Sequence, residues 1–256
     1  MNDVLRDLEN ARDPRTDSLS DLIMEHTEFF ATLSHELRTP LATMKGFGQS
    51  LLDHWDQLPE ARRRQHVEYM LRSTSRLERL VGDISLSAHL VDGVALSPAA
   101  VTVDDMVAQG VREASTLHPE RTFHVLPSST EQQVWADRER LLQVLVNLLD
   151  NAAKYSPADQ PISVCWSVQG LAVRTEVRDA GLSLTREDRE SLFVRYGRLH
   201  TIGPASAASG SGLGLYICKG LVEAMQGSIG TQAGEDGLGN VFWFTLPASD
   251  TERAAS

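Results

Sequence analysis

The sequence predicts an α+β chain of two domains: a helical hairpin that forms a dimeric four-helix bundle, then an α/β sandwich whose mixed sheet is covered by helices on one face. Two observations carry this. Apolar positions recur at Leu22, His26, Phe29, Leu33, Leu37, Leu41, Met44, Gly48, Leu51 and Trp55, a helical period kept over about nine turns. After Val91-Asp92-Gly93 that pattern gives way to strand-like alternation mixed with shorter helical stretches.

Residues 1–18 are polar, broken at Asp13-Pro14-Arg15, and read as a linker or the frayed end of a signalling helix. Residues 19–92 make the hairpin. Pro59-Glu60 ends its first helix, and a second stripe follows at Val67, Met70, Thr74, Leu77, Val81, Ile84 and Ala88, spaced by threes and fours like a coiled-coil seam. Two such helices cannot bury their stripes alone, so a second copy completes the bundle and a homodimer is expected. Residues 93–248 form the second domain and 249–256 a disordered tail. Strands are expected at Thr122–Leu126, Gln133–Trp135, Ile162–Val168, Leu171–Val177 and Val241–Leu246, with Gln169-Gly170 as a hairpin turn. Helices are expected over Val103–Leu117, Arg138–Lys154 and Leu213–Met225. In Leu171–Val177 apolar residues alternate with outward Arg174 and Glu176, as in a sheet covered on one side.

Composition narrows the function. The 256 residues are 41% hydrophobic, enough for a core, and carry a formal net charge of −11. That charge argues against a nucleic-acid binder, an acidic partner surface and a polybasic membrane contact. No apolar run could span a bilayer and the N-terminus is no signal peptide, so a soluble, cytoplasmic chain is expected, either by itself or as the cytosolic part of a longer, membrane-attached sensor. Cys165 and Cys218 are far apart, without metal-ligand spacing, and read as structural thiols.

Four segments could carry chemistry. In Ser34-His35-Glu36-Leu37-Arg38-Thr39-Pro40, His35 lies two residues from both Leu33 and Leu37, so it points away from the apolar stripe, and Thr39 shares its face one turn on. Pro40 cannot donate to Glu36, which weakens or bends the helix there. A neutral imidazole is a competent nucleophile, and Glu36 could accept its other ring proton and hold the tautomer. A lone histidine reads as a surface residue, and His26, His54, His66 and His89 take that reading.

On the helix beginning after Asp137, a plausible N-cap, Leu141, Leu145, Leu149 and Ala152 form the core face, while Asn147, Asn151 and Lys154 project together. That stripe is either a nucleotide site, with Asn147 offering oxygen to Mg²⁺ and Lys154 meeting phosphate, or a solvated helix face. Asp179 emerges at a strand end and could accept from the exocyclic amine of adenine, with Gly181 allowing close approach; alone, Asp179-Ala180-Gly181 reads as a turn. Finally, Gly210-Ser211-Gly212-Leu213-Gly214-Leu215 opens into a helix whose free N–H groups suit phosphate. The Gly-, Ser- and Ala-rich stretch before it, low in complexity over 203–210, looks like a mobile lid, and Arg195 and Arg198 at its base face phosphate or solvent.

In this order the segments resemble the H box, N box, first glycine box, F box and second glycine box of sensor histidine kinases, over about residues 20 to 247. The resemblance implies a dimerisation and histidine-phosphotransfer hairpin followed by a Bergerat-type ATP-binding domain. It implies that His35 takes the γ-phosphoryl group of ATP, that Glu36 assists as base, and that Thr39 positions water for dephosphorylation of a partner. It assigns Asn147 to Mg²⁺, Asn151 to phosphate, Lys154 and Tyr155 to the nucleotide, Asp179 and Gly181 to adenine, and Gly210, Gly212, Leu213, Gly214 and Leu215 to the ATP phosphates. The implied partners are a response regulator receiver domain, which receives the phosphoryl group on an aspartate, and an upstream sensor domain or sensor protein.

Two departures stand out. Ser183 replaces the second glycine of the first glycine box, where glycine permits backbone angles that serine dislikes, so a stiffer or repositioned hinge is expected. The F region, Ser191 to Arg198, matches loosely. Ser183 motivates one alternative, a phosphatase-biased or catalytically weak relative. A second is a dimeric interaction module switched by nucleotide, which would not need the exposed histidine motif.

Overall fold

The computed structural model describes residues 14–126, 131–194, 212–234 and 237–249, the side chains of 14–26, 28–29 and 91–92 excepted. The polar start before Pro14, Arg195, Arg198, the low-complexity stretch, Gly210 and the tail from Asp250 onward lie outside the described residues. The chain forms two compact units, the first ending at Gly82 and the second taking up at Asp83.

The first unit is built on α1 (Pro14–His54) and α2 (Glu60–Asp92), the latter running on into the second unit. Leu58 and Gln57 N–H groups return to His54 O at 3.0 Å, and Pro59 O receives Arg62 N–H, so the proline closes one helix and starts the next. The α1 helix continues through Pro40. Where the helices meet, Thr74 Oγ1 donates to Met44 Sδ at 3.1 Å and Phe47 stacks on Tyr69 with centroids 4.8 Å apart. The buried strip runs through Leu33, Glu36, Pro40 and Leu80. The expected stripes are therefore only partly covered: Leu41 and Trp55 are 51% and 53% exposed, and Val67 and Val81 are 43% and 54% exposed. One neighbouring helix shields only a narrow arc of a helix's circumference, and these residues lie outside it.

The second unit holds a mixed five-stranded sheet. Its strands are β2 (Phe123–Leu126), β4 (Ile162–Gln169), β5 (Ala172–Asp179), β7 (Asn240–Pro247) and β6 (Ser228–Ala233), ordered β2-β4-β5-β7-β6. The β2 and β4 strands are parallel and the other neighbours antiparallel. A two-stranded ribbon pairs β1 (Ala99–Thr102) with β3 (Gln133–Ala136). The helices α3 (Val103–Leu117), α4 (Arg138–Tyr155) and α6 (Gly214–Ala224) supply the core with Met106, Leu145 and Ile217, all essentially inaccessible, against Val164, Val177 and Phe244 of the sheet. A short α5 (Arg186–Ser191) buries nothing.

On β5 the alternation holds: Val173, Thr175, Val177 and Asp179 point into the core. Arg174 and Arg178 take the other face, where both bond Glu176, at 2.8 and 3.0 Å, and Arg174 lies over the Trp243 ring at 4.2 Å. Cys165 and Cys218 are both free thiols. Burial pushes the Cys218 thiol up to about 12, which leaves it an inert packing residue.

Both ends of α4 are fastened. Asp137 Oδ1 accepts from Glu139 and Arg140 N–H at 3.1 Å, while Oδ2 accepts from Ser97 N–H at 2.9 Å. At the other end the Arg121 guanidinium donates to the carbonyls of Pro157 at 2.5 Å, Ser156 at 2.7 Å and Ala153. One turn earlier His118 Nε2 donates to Asp150 Oδ1 at 2.8 Å, and Lys154 Nζ donates to Oδ2 at 2.5 Å.

Burial alone would raise the Asp150 carboxyl, but the hydrogen bond from His118 and the charge of Lys154 outweigh it and hold the group at about 2. A depressed carboxyl stabilises the fold above its unfolded value and loses that contribution as pH falls through the folded one. Asp150→Asn is therefore expected to cost about 2 kcal/mol at neutral pH. Urea unfolding at stepped pH should show this difference closing between the ordinary 3.8 and about 2.

Candidate active site

His35 stands exposed on α1, midway along the helix. Thr39 follows on the exposed side one turn later, its Oγ1 donating to His35 O at 3.1 Å, and Thr43 repeats the bond to Thr39 O. Glu36 departs from its expected orientation. It is 3% exposed, turned into the hairpin, and its carboxylate takes Arg76 Nη2 from α2 at 2.8 Å. The reason is angular: one residue along a helix is about 100° around it, enough to carry Glu36 from the histidine's face to the inner one. A buried carboxylate needs a charged partner, and Arg76 supplies it.

In the second unit two groups of predicted residues converge. The first joins α4 to the start of α6. Asn147 and Asn151 are half-buried, and among the described residues the Asn147 amide meets only a weak partner, the Cys218 thiol. A Cβ on Gly214 would lie 4.0 Å from Asn147 Nδ2, so the second glycine box begins beside the N-box amide. Gly212 has φ +69°, Leu213 is fully buried, and the α6 N-terminus has no side-chain cap, so the positive end of that helix opens beside half-buried Gly214 and Leu215. An uncapped helix start beside a weakly held amide fits a phosphate and its cation, because the amide can present its oxygen to Mg²⁺. Lys154 is drawn to Asp150 in this structure, although it stays on the exposed side of α4.

The second group surrounds Asp179, which is 9% exposed. Burial pushes its carboxyl above the usual range, opposed by hydrogen bonds from Gly181 N–H and the Asn240 amide. Gly181 has no room for a side chain: a Cβ would stand 2.9 Å from both Asp179 Oδ1 and Tyr155 O. Tyr155 itself is 43% exposed. Two residues here escaped the sequence reading. Ser156 Oγ accepts Ala180 N–H at 3.2 Å, and Asn240 contacts Asp179 from the next strand. Neither carries a local signal, since each acts across a gap of more than twenty residues.

Ser183 is not strained. Gln226 is the only described non-glycine residue with positive φ, so serine meets no forbidden angle, and its hydroxyl donates to Gly237 O at 2.5 Å. The expected backbone penalty is therefore absent; the positive-φ residues beside it, Gly237 and Gly239 at +74° and +67°, belong to the β6–β7 connection that Ser183 bonds.

Residues 136–250 match the family described as histidine kinase-, DNA gyrase B- and HSP90-like ATPase, and residues 25–90 match the His kinase A (phospho-acceptor) domain. The sensor protein SrrB of Staphylococcus aureus is 29% identical over 243 residues, 90% of this chain and 40% of its own length. The chain thus spans about two-fifths of the curated relatives it matches. Among solved structures, full-length ShkA in complex with AMPPNP is 29% identical with a TM-score of 0.61, over 88% of this chain and 46% of that one. The histidine kinase AdeS of Acinetobacter baumannii has a TM-score of 0.61 at 22% identity, over 84% of this chain and 98% of its own, a likeness of fold. A phospho-acceptor hairpin joined to an ATPase domain of this kind defines the core of a histidine kinase. The chain belongs to the sensor histidine kinases of two-component signalling.

Gly181→Ala is expected to lower stability by about 1–3 kcal/mol, since the added methyl must displace the Tyr155 backbone or the Asp179 carboxylate. Thermal unfolding with and without Mg-ATP checks this: the midpoint falls, and the rise that ATP gives the parent chain shrinks in the variant.

Proposed function

We propose that this chain is a homodimeric kinase core that phosphorylates His35 from Mg-ATP and passes the phosphoryl group to an aspartate of a response regulator receiver domain. The observation that carries the reading is the exposed His35 on a helix whose neighbour Glu36 is locked inward by Arg76. The imidazole is thereby presented on a rigid rod to whatever approaches.

In this reading a neutral ring nitrogen of His35 attacks the γ-phosphorus in line. The N–P bond forms as the bond to the ADP oxygen breaks, and ADP leaves with the electron pair. Glu36, expected as the base, is turned off the histidine's face onto Arg76, so the other ring proton passes to solvent at the exposed face of α1, and Thr39 positions water when the regulator is dephosphorylated. Asp179 and Gly181 take the adenine with Tyr155 beside it. Asn151, Lys154, Gly210, Gly212, Leu213, Gly214 and Leu215 hold the phosphates, and Lys154 exchanges Asp150 for phosphate oxygens when nucleotide enters. Asn147 would hold Mg²⁺, whose chemistry when bound is to neutralise phosphate charge. The AMPPNP complex of ShkA supports the nucleotide site. The open apolar residues of the hairpin, Leu41, Val67 and Val81 among them, support the homodimer.

No helix among the described residues is long and apolar enough to cross a membrane. A cytoplasmic location, a boundary between phosphotransfer and ATP-binding domains near Asp92-Gly93, and control by a sensor domain or protein complete the proposal. The unstrained Ser183 favours the kinase over a phosphatase-biased relative.

Incubated with labelled ATP and Mg²⁺, the chain is expected to gain acid-labile phosphate that then moves to a cognate receiver domain. His35→Gln should incorporate none while still binding ATP. Label persisting on that variant overturns the assignment.

A further inference from the structure

Asn240 opens β7 and has no place in the nucleotide contacts proposed above, yet it is 4% exposed and its amide is engaged at both ends. Nδ2 donates to Asp179 Oδ1 at 3.2 Å and to Leu182 O at 3.0 Å, while its Oδ1 accepts Leu184 N–H at 3.0 Å. Reversing the amide would set its oxygen against a carboxylate and a carbonyl, and its NH₂ against an N–H. The network therefore admits one orientation. A single side chain links the Asp179 carboxylate to the turn that follows Gly181.

This has a directional effect on Asp179. The terminal torsion of an aspartate is broad, so an unassisted carboxylate presents either oxygen over a wide arc. Here Gly181 N–H, at 2.7 Å, and the Asn240 side chain both donate to Oδ1, and the Asn240 backbone N–H is a further donor to the carboxylate, which together fix the plane of the group. Burial strengthens the effect, because hydrogen bonds count for more away from water. An exocyclic amine is a donor that such an aimed acceptor rewards, whereas a ring carbonyl in its place would face negative charge.

We infer that Asn240 is a positioning residue for base selection, aiming the Asp179 carboxylate at the exocyclic amine of the nucleotide base. The inference rests on the reading of Asp179 as the base acceptor. Ser183, which bonds Gly237 O and not Asp179, holds the same turn without taking part in the selection.

The test compares ATP with purine riboside triphosphate, identical but for the missing 6-amino group, by calorimetric titration of the whole chain with Mg²⁺. For the parent chain, removing the amine is expected to weaken binding about tenfold or more, as for a hydrogen bond to a charged acceptor. In Asn240→Ala the ratio should collapse to within about threefold. Asn240→Leu keeps the shape of the side chain but has no donor for Asp179, so it should lose the ratio as well, and it serves should the alanine variant fail to fold. Ser183→Gly should keep the parent ratio. Equal weakening of both nucleotides in the Asn240 variants, with the ratio unchanged, marks a merely structural role and overturns the inference. A parent chain that does not distinguish the two nucleotides overturns the reading of Asp179 itself.

Discussion

The Arg121 guanidinium under the C-terminal end of α4 is the contact from which the nucleotide-facing half of this protein takes its geometry. A helix ends with carbonyls that lack partners, and leaving them buried is costly. Arg121 meets those of Ala153, Ser156 and Pro157 at once, from a turn that follows α3. Tyr155 and Ser156 are thereby held where they bound the 180–181 turn, one through its backbone oxygen beside Gly181 and the other through its hydroxyl on Ala180. The Asp137 cap fixes the opposite end. Between these anchors α4 buries Leu141, Leu145 and Leu149 and keeps Asn147 and Asn151 half-open, so one rigid helix presents its polar stripe at a set height above the sheet.

Much of this could be read from residue order, and what could not was non-local. The long helices, α3, α4, α6 and the β4–β5 hairpin follow from periodicity and turn residues, because side-chain spacing reports which face is buried. The strands β1 and β6 give no such signal: only Val101 of β1 is buried, and β6 is an edge strand with Gly230 and two polar residues in its middle. Gly230 is needed there because the Trp243 ring occupies the space of a side chain. The short α5 did carry a cue, the Thr185 and Asp188 capping box, without an apolar face to reinforce it.

At the site, motif residues were recognisable by type and spacing, but their partners were not. Nothing near Asp179 in the chain points to Asn240, sixty-one residues on, and nothing near Glu36 points to Arg76. Ser183 shows the limit of substitution arguments. Replacing glycine implies strain only where φ is positive, and Ser183 does not sit at such an angle.

The inward pair of Glu36 and Arg76 also acts as a register pin between α1 and α2. Apolar seams tolerate sliding, since one turn of displacement, about 5.4 Å, exchanges one leucine-like contact for another. A charge pair does not: the same displacement parts a buried carboxylate from its guanidinium. Any signal transmitted as a shift of one helix along the other must therefore carry enough free energy to part this pair. The residue next to His35 thus resists small sliding of one helix along the other, and only a concerted displacement parts the pair.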